Sequence, residues 1–221
     1  TQWAMADVER AGLLKMDFLG LRNLTVLAKT VDLIEQSTGK RIDPYKFPLD
    51  DEASFALLRR GETKGVFQLE SSGMQQLFKD LRADCFEDIV AAVALYRPGP
   101  LGSGMVKDFV DCKNGRKAVA KMHPKVDHIL EPTYGVIVYQ EQVMRISNVV
   151  GNFAMNDADS LRKAMGKKKP EEMAKFREKF VEGAIKKGHE GKWARELFET
   201  MEYFAGYGFN KSHSAAYALV T

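Results

Sequence analysis

Cysteine is scarce: Cys85 and Cys112 are the only two in 221 residues. That is too few for a disulfide framework or a four-cysteine zinc site, and it fits a reducing cytoplasm. Long apolar runs are also missing. The longest uncharged one, Ile89 to Tyr96, falls far short of the ~20 residues a membrane span needs. No secretory leader opens the chain, and no internal repeat or low-complexity tract interrupts it. Of the four histidines, His123, His128 and His189 sit in polar stretches without metal-ligand spacing. A strong net charge is absent too, at +3 overall. What remains is an ordinary globular composition, 45% hydrophobic and 29% charged, which argues against intrinsic disorder. The length allows one or two domains.

The small total charge hides an asymmetry. Residues 1–159 hold 20 basic and 22 acidic side chains, whereas residues 160–221 hold 13 and 8. An anionic partner near the C-terminal part, or a solvated helix face, would account for that excess. Thr1 stands where a Met is expected, and residues 214–221 stop inside an apolar helical pattern without a cap. The chain therefore reads as a piece of a longer protein.

Leu14, Met16 and Phe18 alternate within 11–20, the mark of a short strand. From Leu21 to Gln36 the apolar residues recur at helical spacing, with Gly39 just past the end. Residues 41–50, with two prolines, form a linker. Further helices are expected over 51–60, from Ser72 onward, and over 86–96, 101–113, 156–165, 170–187 and 192–205. Short strands are expected over 65–70 and 134–139, the second alternatively leading into a helix that runs to Gly151. Arg97-Pro-Gly-Pro100 cannot continue the helix before it. The sum is a mainly α chain with two or three short strands.

Four places could carry chemistry. Asp17 sits on an apolar strand, where burying an unpaired carboxylate is costly. It is an edge-strand or capping Asp, or else one ligand of a phosphoryl-transfer site, which needs several acids around two cations ~3.5–4 Å apart. No Asp-x-Asp on a second strand accompanies it; Asp157-Ala-Asp159 opens a helix, where the dipole favours acids, and reads as structural. Next, Arg162 and Lys163 lie on a helix that Gly166 is expected to end. Lys167, Lys168 and Lys169 make the turn, and Pro170 with Glu171 and Glu172 starts another helix. These cations suit phosphates, or else simply solvate a helix–turn–helix. Third, the run Ala205 to Tyr217 sets Tyr207, Phe209, Lys211 and His213 around two glycines, with Asn210 and Ser212 as candidate N-caps. A helix N-terminus suits anions, so the run could hold a nucleotide; it could equally be an anchored loop. Last, Arg97 is held extended before Pro98, where it could meet a phosphate or merely belong to a turn.

Six strings carry a family resemblance: Leu14-Lys-Met-Asp-Phe-Leu-Gly-Leu-Arg22, Gly65-Val-Phe-Gln-Leu-Glu-Ser71, Leu95-Tyr-Arg-Pro-Gly-Pro-Leu101, Tyr134-Gly-Val-Ile-Val-Tyr-Gln-Glu-Gln-Val143, Ala164-Met-Gly-Lys-Lys-Lys-Pro-Glu-Glu-Met173 and Phe204-Ala-Gly-Tyr-Gly-Phe-Asn-Lys-Ser-His-Ser-Ala-Ala-Tyr-Ala218. In that order they resemble the bacterial replicative DNA polymerase III alpha subunits, the C-family DNA polymerases. The resemblance implies the end of a palm domain over 1–22 and a truncated helical fingers domain over 23–221. It implies Asp17 as the third of three palm aspartates that bind two Mg²⁺ ions, the other two lying upstream of this chain. By the same resemblance Lys15 meets the triphosphate or primer terminus. Arg162 and Lys163 stand where the family has paired arginines; Lys163 keeps the charge but not the bidentate fork. Tyr207 and His213 lie near the incoming nucleotide, with His213 as a steric gate against a ribose 2′-OH, and Asn210, Lys211 and Ser212 join the nucleotide set. Arg97, Lys167, Lys168 and Lys169 are possible DNA contacts.

The implied partners are primer–template DNA and dNTP. A sliding clamp and a proofreading exonuclease would join through regions outside this chain, and no membrane is involved. A non-catalytic helical nucleic-acid-binding module is the alternative reading; it accounts for the charge asymmetry but not for Asp17 on an apolar strand.

Overall fold

The computed structural model describes every residue except Thr1, Lys15, Asp17, Leu19, Lys168 and Lys169, and only the backbone of Met5, Lys167, Pro170 and Ala205. The expected roles of Asp17, Lys15, Lys168 and Lys169, and of the Lys167 side chain, therefore fall outside the described residues, as does part of the strand expected over 11–20. The chain divides into two compact units, residues 1–47 and 48–221. The first holds α1 (Met5–Arg10), α2 (Asn23–Thr38) and a 3₁₀ turn over Pro44–Lys46. Gly39, at φ 70°, ends α2 and gives its N–H to the Glu35 carbonyl at 2.8 Å. The left-handed backbone there is one that glycine adopts without steric cost.

The second unit begins with α3 (Glu52–Arg60) and α4 (Ser72–Leu81). Each is opened by a side-chain cap: Asp51 accepts from the Ser54 N–H at 2.8 Å, and Ser71 from the Met74 N–H at 3.3 Å. Then come α5 (Phe86–Leu95), α6 (Pro98–Gly102) and α7 (Met105–Lys113). Arg97-Pro-Gly-Pro100 does stop α5, but it also starts α6, because Pro98 takes the first helical position, where no donor is needed. These helices enclose a first core that includes Phe55, Leu69, Phe78, Leu95 and Phe109.

A second core, with Ile146, Phe153, Leu161, Phe180, Phe198 and Met201, is built by α8 (Pro124–Leu130), α9 (Gln140–Val149), α10 (Met155–Lys167), α11 (Pro170–Lys186) and α12 (Gly191–Ala205). Gly166 does not end α10, which runs on to Lys167; an interior glycine costs a helix only about 1 kcal/mol. The last helix, α13 (Lys211–Val220), returns to α5 and buries Ala218 in the first core.

Past α8 the chain rejoins the first core at Val138 and Tyr139, crosses outward again into α9, and comes back at 206–210. Ile137 belongs to the second core, while Val138 and Tyr139 belong to the first. The two crossings run side by side. Tyr139 and Phe209 form a parallel bridge, in which the Phe209 N–H donates to the Val138 carbonyl at 3.0 Å and the Gln140 N–H to the Phe209 carbonyl at 2.9 Å.

Among the described residues this bridge is the only β pairing, so the mainly α expectation holds; no strand forms over 65–70, and 134–139 takes its alternative reading as the lead into α9. Positive φ at Gly65 and Gln68 turns the first segment, and positive φ at Tyr134 and Gly135 turns the start of the second. No helix among the described residues is long and apolar enough to cross a membrane.

Candidate functional site

The site grows from a buried side chain. Gln142, only 6% exposed, accepts from the Val138 and Tyr139 N–H groups at 2.9 Å each. Its amide nitrogen donates to the Thr133 hydroxyl at 2.7 Å and to the Ile129 carbonyl at 3.4 Å. With both ends of the amide used, the outward crossing is fixed, and Phe209 is paired to a rigid edge.

From Phe209 the loop before α13 is held on several sides. The Arg97 guanidinium stacks 4.5 Å from the Phe209 ring centroid and donates to the Tyr207 carbonyl at 2.5 Å and to the Ala94 carbonyl at 2.8 Å. Burial pulls Arg97 below its ordinary pKa, although a guanidinium remains charged. The Tyr207 ring covers Gly99 so closely that a Cβ there would lie 2.8 Å from Cε1. Arg97, read as a possible phosphate contact or as part of a turn, makes these bonds to protein and supports the loop. The Gln140 side chain donates to the Gly208 carbonyl at 3.2 Å.

Asn210 is the N-cap of α13. Its Oδ1 accepts from the His213 N–H at 2.8 Å, which settles the choice between Asn210 and Ser212 as cap. Glu141 reaches the same helix end, its carboxylate accepting from the Lys211 N–H at 3.0 and 3.1 Å and from the Asn210 amide at 3.0 Å. A carboxylate is favoured at a helix N-terminus. The Lys211 ammonium lies 5.3 Å from the Tyr139 ring centroid. Ser212 is exposed on the first turn. His213 is exposed and stands between Phe209 and Tyr217, with ring centroids at 5.3 and 4.4 Å.

Arg162 and Lys163 project from α10 and share one acid. Asp159 accepts from Arg162 Nε at 2.9 Å and Nη2 at 2.8 Å, and from Lys163 Nζ at 2.7 Å. Lys163 first and Arg162 second hold the Asp159 carboxyl below its usual range. Arg162 also donates through Nη1 to Gln140 Oε1 at 3.1 Å. One connected group therefore joins Arg97, Tyr207, Asn210, Lys211, His213 and Arg162, with Lys163 attached through Asp159. Gln140 and Glu141, which complete it, had no role in the reading of the sequence. Both stand in the Tyr134–Val143 string, but their partners lie 68 to 70 residues away, and no local pattern announces that.

Among the described residues the one grouping of three potential metal ligands is Asp84, Cys85 and Asp88. It does not suit a metal, because the Lys113 ammonium fills it, 2.8 Å from both carboxylates. Burial further pushes the Cys85 thiol up to about 11, away from the thiolate a metal would need.

The arrangement sets a guanidinium and an ammonium on one helix, linked through Gln140 to the loop that leads into the N-terminus of α13. The family model of the bacterial DNA polymerase III alpha subunit finger domain matches residues 23–188. Over its whole length the chain is 57% identical to the DNA polymerase III subunit alpha of Pasteurella multocida (strain Pm70), 54% to that of Escherichia coli (strain K12) and 51% to that of Pseudomonas aeruginosa. It spans 20% of the length of each of these relatives. The finger-domain match and these identities agree, and the chain belongs to the bacterial DNA polymerase III alpha subunit family.

Proposed function

We propose that this chain is the nucleotide-gripping part of a template-directed DNA polymerase of bacterial chromosome replication, which transfers a deoxynucleotide from dNTP to a primer 3′-OH with release of pyrophosphate. The observation that carries this reading is the connected surface of Arg162, Lys163 and the first turn of α13, in a chain whose relatives are polymerase subunits. Residues 1–22 would edge the palm and residues 23–221 would form the fingers.

Arg162 and Lys163 bind the triphosphate, Arg162 through the N–H groups that Asp159 and Gln140 leave over. Because phosphoryl transfer depends chiefly on positioning and charge neutralisation, fixed cations at this place are useful in themselves. Lys211 and Ser212 offer their side chains to the same anion, while Asn210, capping α13, holds that helix end in place and borders the nucleotide. Tyr207 and His213 line the sugar and base, and the stacked His213 ring occupies the space a 2′-OH would need. Lys15 meets the triphosphate or primer terminus. Lys167, Lys168 and Lys169 meet DNA phosphates, so that duplex affinity falls with added salt. Template choice comes from base pairing.

Asp17 would hold Mg²⁺ together with two aspartates outside this chain; the bound ions supply activation of the primer hydroxyl and neutralisation of the departing pyrophosphate. The clamp and exonuclease would act through other regions of the polymerase. The test is single-nucleotide incorporation by the full-length polymerase. Asp17→Asn should abolish turnover with the fold intact, and His213→Ala should raise ribonucleotide use relative to deoxyribonucleotide. Near-normal turnover in the first variant or an unchanged ratio in the second overturns the corresponding role.

A further inference from the structure

Gln140 bridges the helix that carries Arg162 and the loop that carries Tyr207. Its side chain uses both ends of one amide, Oε1 for Arg162 Nη1 at 3.1 Å and Nε2 for the Gly208 carbonyl at 3.2 Å. Its backbone N–H is committed as well, to the Phe209 carbonyl at 2.9 Å. Gln140 is therefore anchored to the loop by two bonds and hands the remaining acceptor to Arg162.

The donors of Arg162 can be followed one by one. A guanidinium carries five N–H groups in a fixed plane. Asp159 takes Nε–H and one Nη2–H; Gln140 takes one Nη1–H. This leaves one N–H on each terminal nitrogen for a charge-assisted bond to phosphate oxygen. Held by Asp159 on one side and Gln140 on the other, the guanidinium has little rotamer freedom left to lose when a ligand arrives. Asp159 shares the helix of Arg162, so it sets the ring's tilt relative to α10 alone. Gln140 instead refers the guanidinium to a different element, the loop that carries Tyr207 and precedes His213.

We propose that Gln140 is a positioning residue of the nucleotide site, aiming Arg162 and tying it to Gly208 so that the phosphate grip and the sugar-facing loop move as one body. This rests on the nucleotide-binding reading above. It adds a coupling: a nucleotide seated badly at the sugar is also held badly at the phosphate.

The experiment is steady-state incorporation of one dNTP by the full-length polymerase on primer–template, comparing the parent with Gln140→Ala, Arg162→Ala, the double variant and Gln140→Glu. Gln140→Ala should raise the KM for dNTP about tenfold, the size of one lost hydrogen bond to a charged group, with kcat little changed. The double variant should have the KM of Arg162→Ala alone, because Gln140 acts through Arg162. Gln140→Glu keeps the acceptor for Arg162 but sets a carboxylate against the Gly208 carbonyl. It should retain most of the KM while losing ribose discrimination several-fold. An unchanged KM in Gln140→Ala, or losses that add in the double variant, overturns the Gln140 role while leaving the nucleotide reading in place. An unchanged KM in Arg162→Ala overturns the nucleotide reading itself, and this inference with it.

Discussion

Replacing Gln142 with Met tests whether one buried amide sets the position of the candidate site. Methionine matches glutamine in length and leaves no large cavity, so packing is mostly kept and the hydrogen bonds are what change. The Val138 and Tyr139 N–H groups lose an acceptor now 2.9 Å away and stay in an environment where Val138 is 2% and Tyr139 4% exposed. An orphaned buried donor costs about 1–3 kcal/mol, so two of them cost roughly 2–6 kcal/mol. The lower half of that range applies, because the crossing can shift toward water; a loss of about 3 kcal/mol lowers the melting temperature of a domain of this size by roughly 6–12 °C. Urea titration and thermal unfolding followed by circular dichroism measure the loss. Hydrogen exchange adds the local readout, since the Phe209 N–H is held by the Val138 carbonyl, 3.0 Å away. Its protection should fall more than that of α4 amides. A loss under about 1 kcal/mol, or unchanged protection at Phe209, would refute the view that Gln142 fixes the outward crossing.

Gly99→Ala pushes a Cβ into the Tyr207 ring; overpacking of this kind costs about 1–3 kcal/mol, and in the full-length polymerase the KM for dNTP should rise while melting shifts only modestly. Lys113→Met strands Asp88, which is 2% exposed and 2.8 Å from the ammonium, and should destabilise the chain by about 3–5 kcal/mol in urea titration. Lys113 also lowers the Asp84 pKa, so in the parent that carboxyl's contribution is present above its unfolded value and is lost as pH falls through the folded one. The variant's acid titration should be flatter there. The Cys85 thiol, raised from 9.0 to about 11, should react with iodoacetamide at pH 8 about 100-fold more slowly in the folded chain than in urea, as read by mass spectrometry. Equal rates would contradict its burial beside Asp88.

Helix ends were legible where a single residue carries the signal. Asn210, one of two candidate caps, accepts the His213 N–H, and Gly39 adopts the left-handed turn just past α2. The strand expected over 65–70 does not form, and 134–139 resolves to its alternative as a helix lead-in, for a physical reason. Short apolar runs satisfy either period, and Gln68 and Tyr134 take positive φ against ordinary preference. At the site, residue type pointed to Arg162, Tyr207 and His213, but not to what holds them. Periodicity tells which face of an element is buried, not against what. The Arg97 bond to Tyr207 spans 110 residues, and the Gln140 bond to Gly208 spans 68. Arg97 illustrates the loss: beside Pro98 it reads as a cation for a phosphate or as part of a turn, and nothing local shows that it stacks on Phe209.

The return of α13 to α5 also bears on synthesis. A ribosome delivers α3 to α7 first, yet Ala218, which completes their core, emerges more than a hundred residues after Lys113. Until then the part of α5 that α13 packs against has no cover, and contacts this distant in sequence form late. The nucleotide-facing loop is set by the same event, since Asn210 caps the helix that does the covering. Completion of the first core and assembly of the site are one step, so a nascent chain halted before Lys211 has neither, and its bare helical face is open to chaperones and proteases.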